Sequence, residues 1–153
     1  RFLTVMLLDI DYFKSINDNY GHECGDKVLT EFAQQVQAAV GEEGLVARMG
    51  GEEFAVVINT GDARQGYALA ERIRTTVEQH PFIWRGQTLF LTVSIGLGCG
   101  KSEAWQLTEV FNRLLTEADD YLYRSKKGGR NRTSGMVKGR DVTAEKPAPS
   151  EQL

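Results

Sequence analysis

The sequence predicts an α+β domain with a mainly antiparallel sheet flanked by helices. Two observations predict it: the periodicities run strand, helix, hairpin, helix, hairpin, helix, and this order gives hairpin partners that are adjacent in sequence with helical crossovers between them. A chain of 153 residues that is 41% hydrophobic also suits one globular core better than two.

Leu3 to Leu8 is a short apolar run followed by acids and reads as a strand covered on both faces. From Asp26, the apolar residues Val28, Phe32, Val36 and Val40, with Leu29 and Ala33 beside them, recur at helical spacing and stop at Gly41. Val46 to Met49, the pair Gly50-Gly51 and Glu52 to Ile58 read as two strands and a tight turn, because paired glycines permit the positive φ angles of hairpins. Asp62 caps the next expected helix, whose Tyr67, Ala70, Ile73 and Val77 lead to a break at Pro81. Phe82-Ile83-Trp84 and Thr88 to Leu97 are expected to form a hairpin around Arg85-Gly86-Gln87. The last helix carries Leu107, Val110, Phe111, Leu114, Ala118 and Leu122 and ends at Lys126-Lys127-Gly128-Gly129, with cations in its final turn. Thr133 to Val137 can add an edge strand, so the folded domain is drawn as residues 1–137. Lys138 to Leu153, with Pro147 and Pro149 and no aromatic residue, reads as a disordered tail. Arg1 stands almost directly before the first apolar run, which suggests the output end of a longer regulated protein.

Composition excludes several classes of function. The longest uninterrupted apolar stretches, Val5 to Leu8 and Ala55 to Ile58, fall far short of the roughly 20 residues that cross a bilayer, and no export leader is evident. Cys24 and Cys99 have no C-x-x-C spacing, which favours a reducing compartment and speaks against zinc. A formal charge of −3 argues against a protein that coats nucleic acid, but leaves room for one phosphorylated small molecule held by a few cations.

Four stretches could carry chemistry. Asp9-Ile10-Asp11 ends the first strand, where alternate side chains share a face; the two acids either point together at a cation or are simply solvated. Gly50-Gly51-Glu52-Glu53 is either a plain glycine turn or a source of a carboxylate for Asp9, and alternation lets at most one of the two glutamates face it easily. Two carboxylates about 4 Å apart repel by roughly 4 kcal/mol at an effective dielectric near 20, so a converging pair takes up a proton or a hard divalent ion. In Phe13 to Asp26, Lys14 reads as a surface cation, Asn17 as a local cap, His22 as a turn residue and Asp26 as a helix N-cap. Asn and Asp together could equally recognise guanine, whose N1–H and N2–H₂ donors suit a carboxylate while O6 and N7 suit an amide. Lys126 to Arg132 is either helix C-terminal chemistry or a cradle in which Lys126 and Arg130 hold a triphosphate.

Taken in order, Asp9-Ile10-Asp11-Tyr12-Phe13-Lys14-Ser15-Ile16-Asn17-Asp18, Gly21-His22-Glu23-Cys24-Gly25-Asp26, Arg48-Met49-Gly50-Gly51-Glu52-Glu53-Phe54, Ser94-Ile95-Gly96 and Ala118-Asp119 through Lys126 to Arg130-Asn131 resemble the signatures of GGDEF-domain diguanylate cyclases, in the GGEEF variant. The resemblance runs from about Leu3 to Arg132. It implies a ferredoxin-like, palm-type fold related to nucleotidyl cyclases, and a bacterial signalling enzyme that condenses two GTP into cyclic di-GMP and two pyrophosphates. It further implies that Asp9, the Ile10 carbonyl and Glu52 bind magnesium, with manganese as the alternative, and that Glu53 is a secondary metal contact. Glu52 becomes the proton acceptor for the attacking 3′-hydroxyl. Asn17 and Asp26 match guanine readers, with His22 in the same substrate-contacting segment, while Lys14, Lys126 and Arg130 match phosphate contacts. Asp11 conforms to the motif and is not counted among the ligands. A homodimer, an N-terminal sensor and a cytoplasmic domain, with an inner-membrane anchor open to the full-length protein, belong to the same expectation. The competing expectations are an inactive GTP- or cyclic-di-GMP-responsive signalling module and a polymerase-like palm. The acidic total and the lack of a basic track disfavour nucleic acid as a partner.

The sequence departs from the family pattern in two places. The leading D-x-L-T segment is absent, and the R-x-x-D product-inhibition motif would need Arg and Asp where Gly41 and Gly44 stand. Titration of cyclic di-GMP against activity is therefore expected to show no conventional inhibition, and strong inhibition abolished by substitutions near Gly41 and Gly44 would overturn this.

Overall fold

The strand β1 (Phe2–Ile10) is buried from Leu3 onward, and its alternating side chains feed two separate cores. The structure is a computed structural model and describes residues 2–103 and 106–143. Met6, Leu8 and Ile10 pack with Phe32 and Val36 of α2 (His22–Val40) and with Ile73 and Val77 of α3 (Ala63–Gln79). Leu3, Val5 and Leu7 pack instead with Leu114, Ala118 and Leu122 of α4 (Leu107–Lys127). The uninterrupted apolar run of β1 thus has its physical reason in helices on both faces.

β1 lies between β3 (Glu53–Asn59) and β6 (Val93–Lys101), antiparallel to both. With β2 (Leu45–Gly50), β7 (Thr133–Val137) and β8 (Arg140–Thr143), they form a six-stranded sheet of order β2-β3-β1-β6-β7-β8. Only the β6–β7 pair is parallel, so the expected α+β, mainly antiparallel architecture is the one observed. The order β2-β3-β1-β6, with α2 and α3 as crossovers on one face, is the ferredoxin-like arrangement.

Three local expectations need correction. First, a short helix α1 (Phe13–Tyr20) precedes α2, and α2 begins at His22. Asp26 is therefore not an N-cap; it sits in the second turn of α2. Gly21, at φ 91, breaks the two helices, and α1 left no apolar stripe to read because Phe13 is its only buried residue. Second, β4 (Phe82–Trp84) and β5 (Gln87–Leu89) form their own two-stranded sheet around Arg85-Gly86, both at positive φ, and the chain re-enters the main sheet only at Val93. Third, the segment read as a tail from Lys138 contains β8. Lys138 and Gly139 both have positive φ and turn the chain back onto β7, where Asp141 accepts from the Tyr121 hydroxyl and pairs with Arg124 at 3.1 Å. Residues 144–153 of that expected tail, with Pro147 and Pro149, lie outside the described residues.

Along β6, Gly96 and Gly98 lie directly beneath the backbone of α4: a Cβ at Gly96 would overlap Leu122 N and Ala118 O, and one at Gly98 would overlap Leu114 O. Their missing side chains let α4 settle onto the sheet, with Ser125 Oγ donating to Ile95 O at 2.7 Å near its end. Gly96→Ala is expected to destabilise the fold by about 3 kcal/mol, read as a lower urea midpoint with unchanged m-value.

Candidate active site

The expected metal ligands Asp9, Ile10, Glu52 and Glu53 lie at the end of β1 and in the strand and turn beside it. Asp9 stands opposite Glu53 of β3 and Ser94 of β6, and cross-strand partners in an antiparallel pair share a face. Glu53 is thus the glutamate that register sets beside Asp9, while Glu52 lies in the β2–β3 turn. The Glu52 carbonyl accepts from Ile10 N at 3.3 Å, which ties that turn to β1. Gly50 and Gly51, at φ 150 and 52, make the turn, and Arg48 Nε donates to Gly51 O at 2.9 Å to hold it. The Ile10 side chain is core.

A cavity of about 300 Å³ brings Lys14, Asn17, His22, Asp26 and Glu52 together, with Arg48 beside them. Helix geometry explains the gathering. Lys14 and Asn17 are three apart on α1, and His22, Asp26 and Leu29 recur at four and three along one face of α2. Asn17 reaches across because Gly25 leaves room: a Cβ there would overlap Asn17 Oδ1. A groove of about 590 Å³ continues past Asp26, Leu29 and Arg48. Arg48 had no assigned role in the sequence; the signal that could have found it is a cation two residues ahead of a glycine turn.

Of the three expected phosphate cations, Lys14 is exposed and pairs with Asp18 at 3.1 Å. Lys126, in the last turn of α4, pairs with Asp9 Oδ2 at 2.5 Å. Arg130 lies in the loop after α4, with its guanidinium 4.9 Å from the centre of the Tyr12 ring, and it does not line the 300 Å³ cavity. Glu52 lines the cavity, and its charge acts on Asp9.

Asp11 is buried. Its carboxylate accepts from Thr92 Oγ1 and Ser94 Oγ, both at 2.7 Å, and from Asn131 N at 2.9 Å. The image of Asp9 and Asp11 jointly facing a cation is therefore corrected: three protein donors already occupy the second acid.

Among the described residues, no group of three or more His, Cys, Asp or Glu side chains forms a metal cage. The acids that register sets side by side are Asp9 and Glu53, and a pair of carboxylates fits a hard divalent cation that completes its shell with phosphates and water.

The chain is similar to known proteins over most of its length. The family model described as "Diguanylate cyclase, GGDEF domain" matches residues 1–132. A probable diguanylate cyclase of Escherichia coli K12, DgcF, is 63% identical over 140 residues, covering 92% of this chain and 44% of the relative. Diguanylate cyclase A of Treponema denticola is 39% identical over 86% of this chain and 34% of its own length. The chain thus spans less than half the length of these curated relatives. Among solved structures, the GGDEF domain of DgcB from Caulobacter crescentus in complex with c-di-GMP aligns with TM-score 0.79 at 33% identity, covering 88% of this chain and 77% of that one. The active GGEEF domain of a diguanylate cyclase from Vibrio cholerae aligns with TM-score 0.75 at 30% identity, over 88% and 83% of the two chains.

The acids carry an electrostatic cost. Burial, opposed by the Lys126 hydrogen bond and charge and reinforced by Glu52 and Asp11, holds the Asp9 carboxyl above the usual carboxylate range. Burial and then the Asp9 charge do the same to Glu53. A carboxyl whose folded value is raised favours the fold while protonated and loses that contribution as pH rises through the folded value. Glu53→Gln removes the cost, so its Tm is expected to exceed that of the parent by about 2 °C at pH 7 and to converge with it below the ordinary glutamate range. An equal gain at all pH values in a thermal melt series would contradict this.

Proposed function

This chain belongs to the family of GGDEF-domain diguanylate cyclases, and we propose that it condenses two GTP into cyclic di-GMP with release of two pyrophosphates. The observation that supports the proposal is that Glu52 lines a pocket with Asn17 and Asp26 while its carbonyl accepts from Ile10 N, next to the Asp9 that pairs with Lys126.

In this reading Asp26 accepts from N1–H and N2–H₂ of guanine, Asn17 bonds its O6 or N7, and His22 closes the same side of the pocket. That pattern rejects adenine, which offers neither donor pair. Lys126 and Arg130 take the phosphate oxygens, and Lys14 reaches them from the rim. Asp9, the Ile10 carbonyl and Glu52, with Glu53 as a further contact, would hold magnesium, or manganese in its place, and the bound ion supplies neutralisation of phosphate charge. Glu52 accepts the proton of a 3′-hydroxyl, and the oxygen so freed attacks the α-phosphorus of the other GTP as pyrophosphate leaves. Nucleotidyl transfer needs in-line placement and charge neutralisation more than covalent help from the protein, so these residue types suffice. Closing the ring takes two such attacks in opposite directions. Each domain holds one GTP, so two copies face each other across a two-fold axis.

Gly41 and Gly44 support a cyclase without the conventional product-inhibition site. Regulation enters from a sensor or regulatory domain in the full-length protein, in keeping with the fraction of the curated relatives that this chain spans. No helix among the described residues is long and apolar enough to cross a membrane. The domain is proposed to work on the cytoplasmic side of whatever carries it, in keeping with GTP as its substrate.

Incubated with GTP and magnesium and fused to a dimerising segment, the domain is expected to yield cyclic di-GMP by chromatography. Glu52→Gln should slow the reaction about 10³-fold while GTP still binds. GTP binding with no product from the parent fusion would replace the enzyme with a nucleotide-responsive signalling module.

A further inference from the structure

Arg130 and Asn131 have φ angles of 65 and 45, the only two consecutive non-glycine residues in the left-handed region among those described. Such a conformation is costly for side-chain-bearing residues and persists where its surroundings over-determine it. The surroundings here are three hydrogen bonds to Asn131 from other parts of the chain. Its backbone N–H donates to Asp11 Oδ2 at 2.9 Å, its Oδ1 accepts from a terminal nitrogen of Arg74 at 2.9 Å, and its Nδ2 donates to Glu78 at 2.5 Å.

Arg74 is 7% exposed, and its guanidinium is also held by Glu71, through Nε at 2.7 Å and the second terminal nitrogen at 2.9 Å, and pairs with Glu78 at 3.8 Å. Glu71 also accepts from Thr133 Oγ1 at 2.8 Å, so the α3 network grips the loop on both sides of Arg132. A buried ion pair is weak evidence for stability, since well-packed apolar residues usually serve as well. What this one adds is a defined loop conformation. Beside it, Arg130 N donates to Ser125 O at 2.9 Å, and the Arg130 side chain leaves in the direction of Tyr12, at the β1 end of the site.

We propose that Asn131, held by the buried Arg74, is a positioning residue that fixes the backbone of Arg130 so that its guanidinium faces the phosphates of the bound nucleotide. Neither Asn131 nor Arg74 touches the ligand. The proposal rests on the cyclase reading above for the identity of that ligand, and it explains why residues on α3 are tied by charge to a loop beyond α4.

The test is a double-mutant cycle between Asn131→Ala and Arg130→Ala in the full chain, read on the Kd for GTPαS with magnesium by calorimetry and, where turnover is seen, on KM for GTP. Asn131→Ala is expected to weaken binding about tenfold, with KM moving more than kcat. The double variant should bind no worse than Arg130→Ala alone, because the first residue acts through the second. Unchanged binding by a folded Asn131→Ala, or additive losses in the double variant, would overturn the proposal. If Asn131→Ala does not fold, Arg74→Lys replaces it in the cycle with the same expectation. Failure of both to fold assigns the network to stability alone and also overturns the proposal. A parent chain that binds GTPαS while its dimerising fusion forms no cyclic di-GMP from GTP overturns the cyclase reading and leaves the binding cycle to decide the positioning role.

Discussion

The double burial of β1 governs the rest of the molecule. A strand paired on both edges and covered on both faces has no freedom to shift register, because a slip of one residue would exchange its two cores. The abrupt change from Ile10 to Asp11 and the acid at Asp9 therefore fall at a fixed point in space. Each neighbouring element adds its polar residues relative to that point. β3 brings Glu53, the β2–β3 turn brings Glu52, β6 brings Ser94, and α4 ends with Lys126 above Asp9.

The two aspartates of this strand end show how environment divides like residues between roles. Asp11 is saturated by neutral donors, and it joins β1 to the segment before β6 and to the loop after α4. Asp9, two residues away, meets a single cation and two further acids. One carboxylate is thus part of the frame, and the other is left with unmet demand for positive charge. Such unresolved demand is costly to a fold and useful to a site that must attract a cation and phosphate together.

Much of this was legible in the sequence, and the exceptions have physical reasons. β1, α2, α3 and α4 each bury a long stripe or run, so their periodicity was visible. α1 buries only Phe13, and β8 depends on the Lys138-Gly139 turn and on the distant Tyr121 and Arg124, so neither left a periodic trace. The split between β5 and β6 was hidden because Phe90-Leu91-Thr92 stays apolar and β-prone across the junction. In the site, the motif residues were identifiable by type, and the cavity does collect Lys14, Asn17, His22, Asp26 and Glu52. The choice of Glu53 as Asp9's cross-strand neighbour depends on register around an irregular turn, and the Lys126–Asp9 pair joins residues at opposite ends of the fold. Neither follows from spacing.

The glycines of β6 have a consequence beyond packing. They seat α4 on the sheet at Ala118 and Leu122, and from Ala118 the helix runs about 12 Å to Lys126 at its rise per residue. α4 is thus a spacer of set length whose zero mark is the glycine groove and whose far mark is the ammonium group over Asp9. One residue inserted between those marks would swing Lys126 about 100° around the helix axis and away from the acid, although no residue of the site itself had changed.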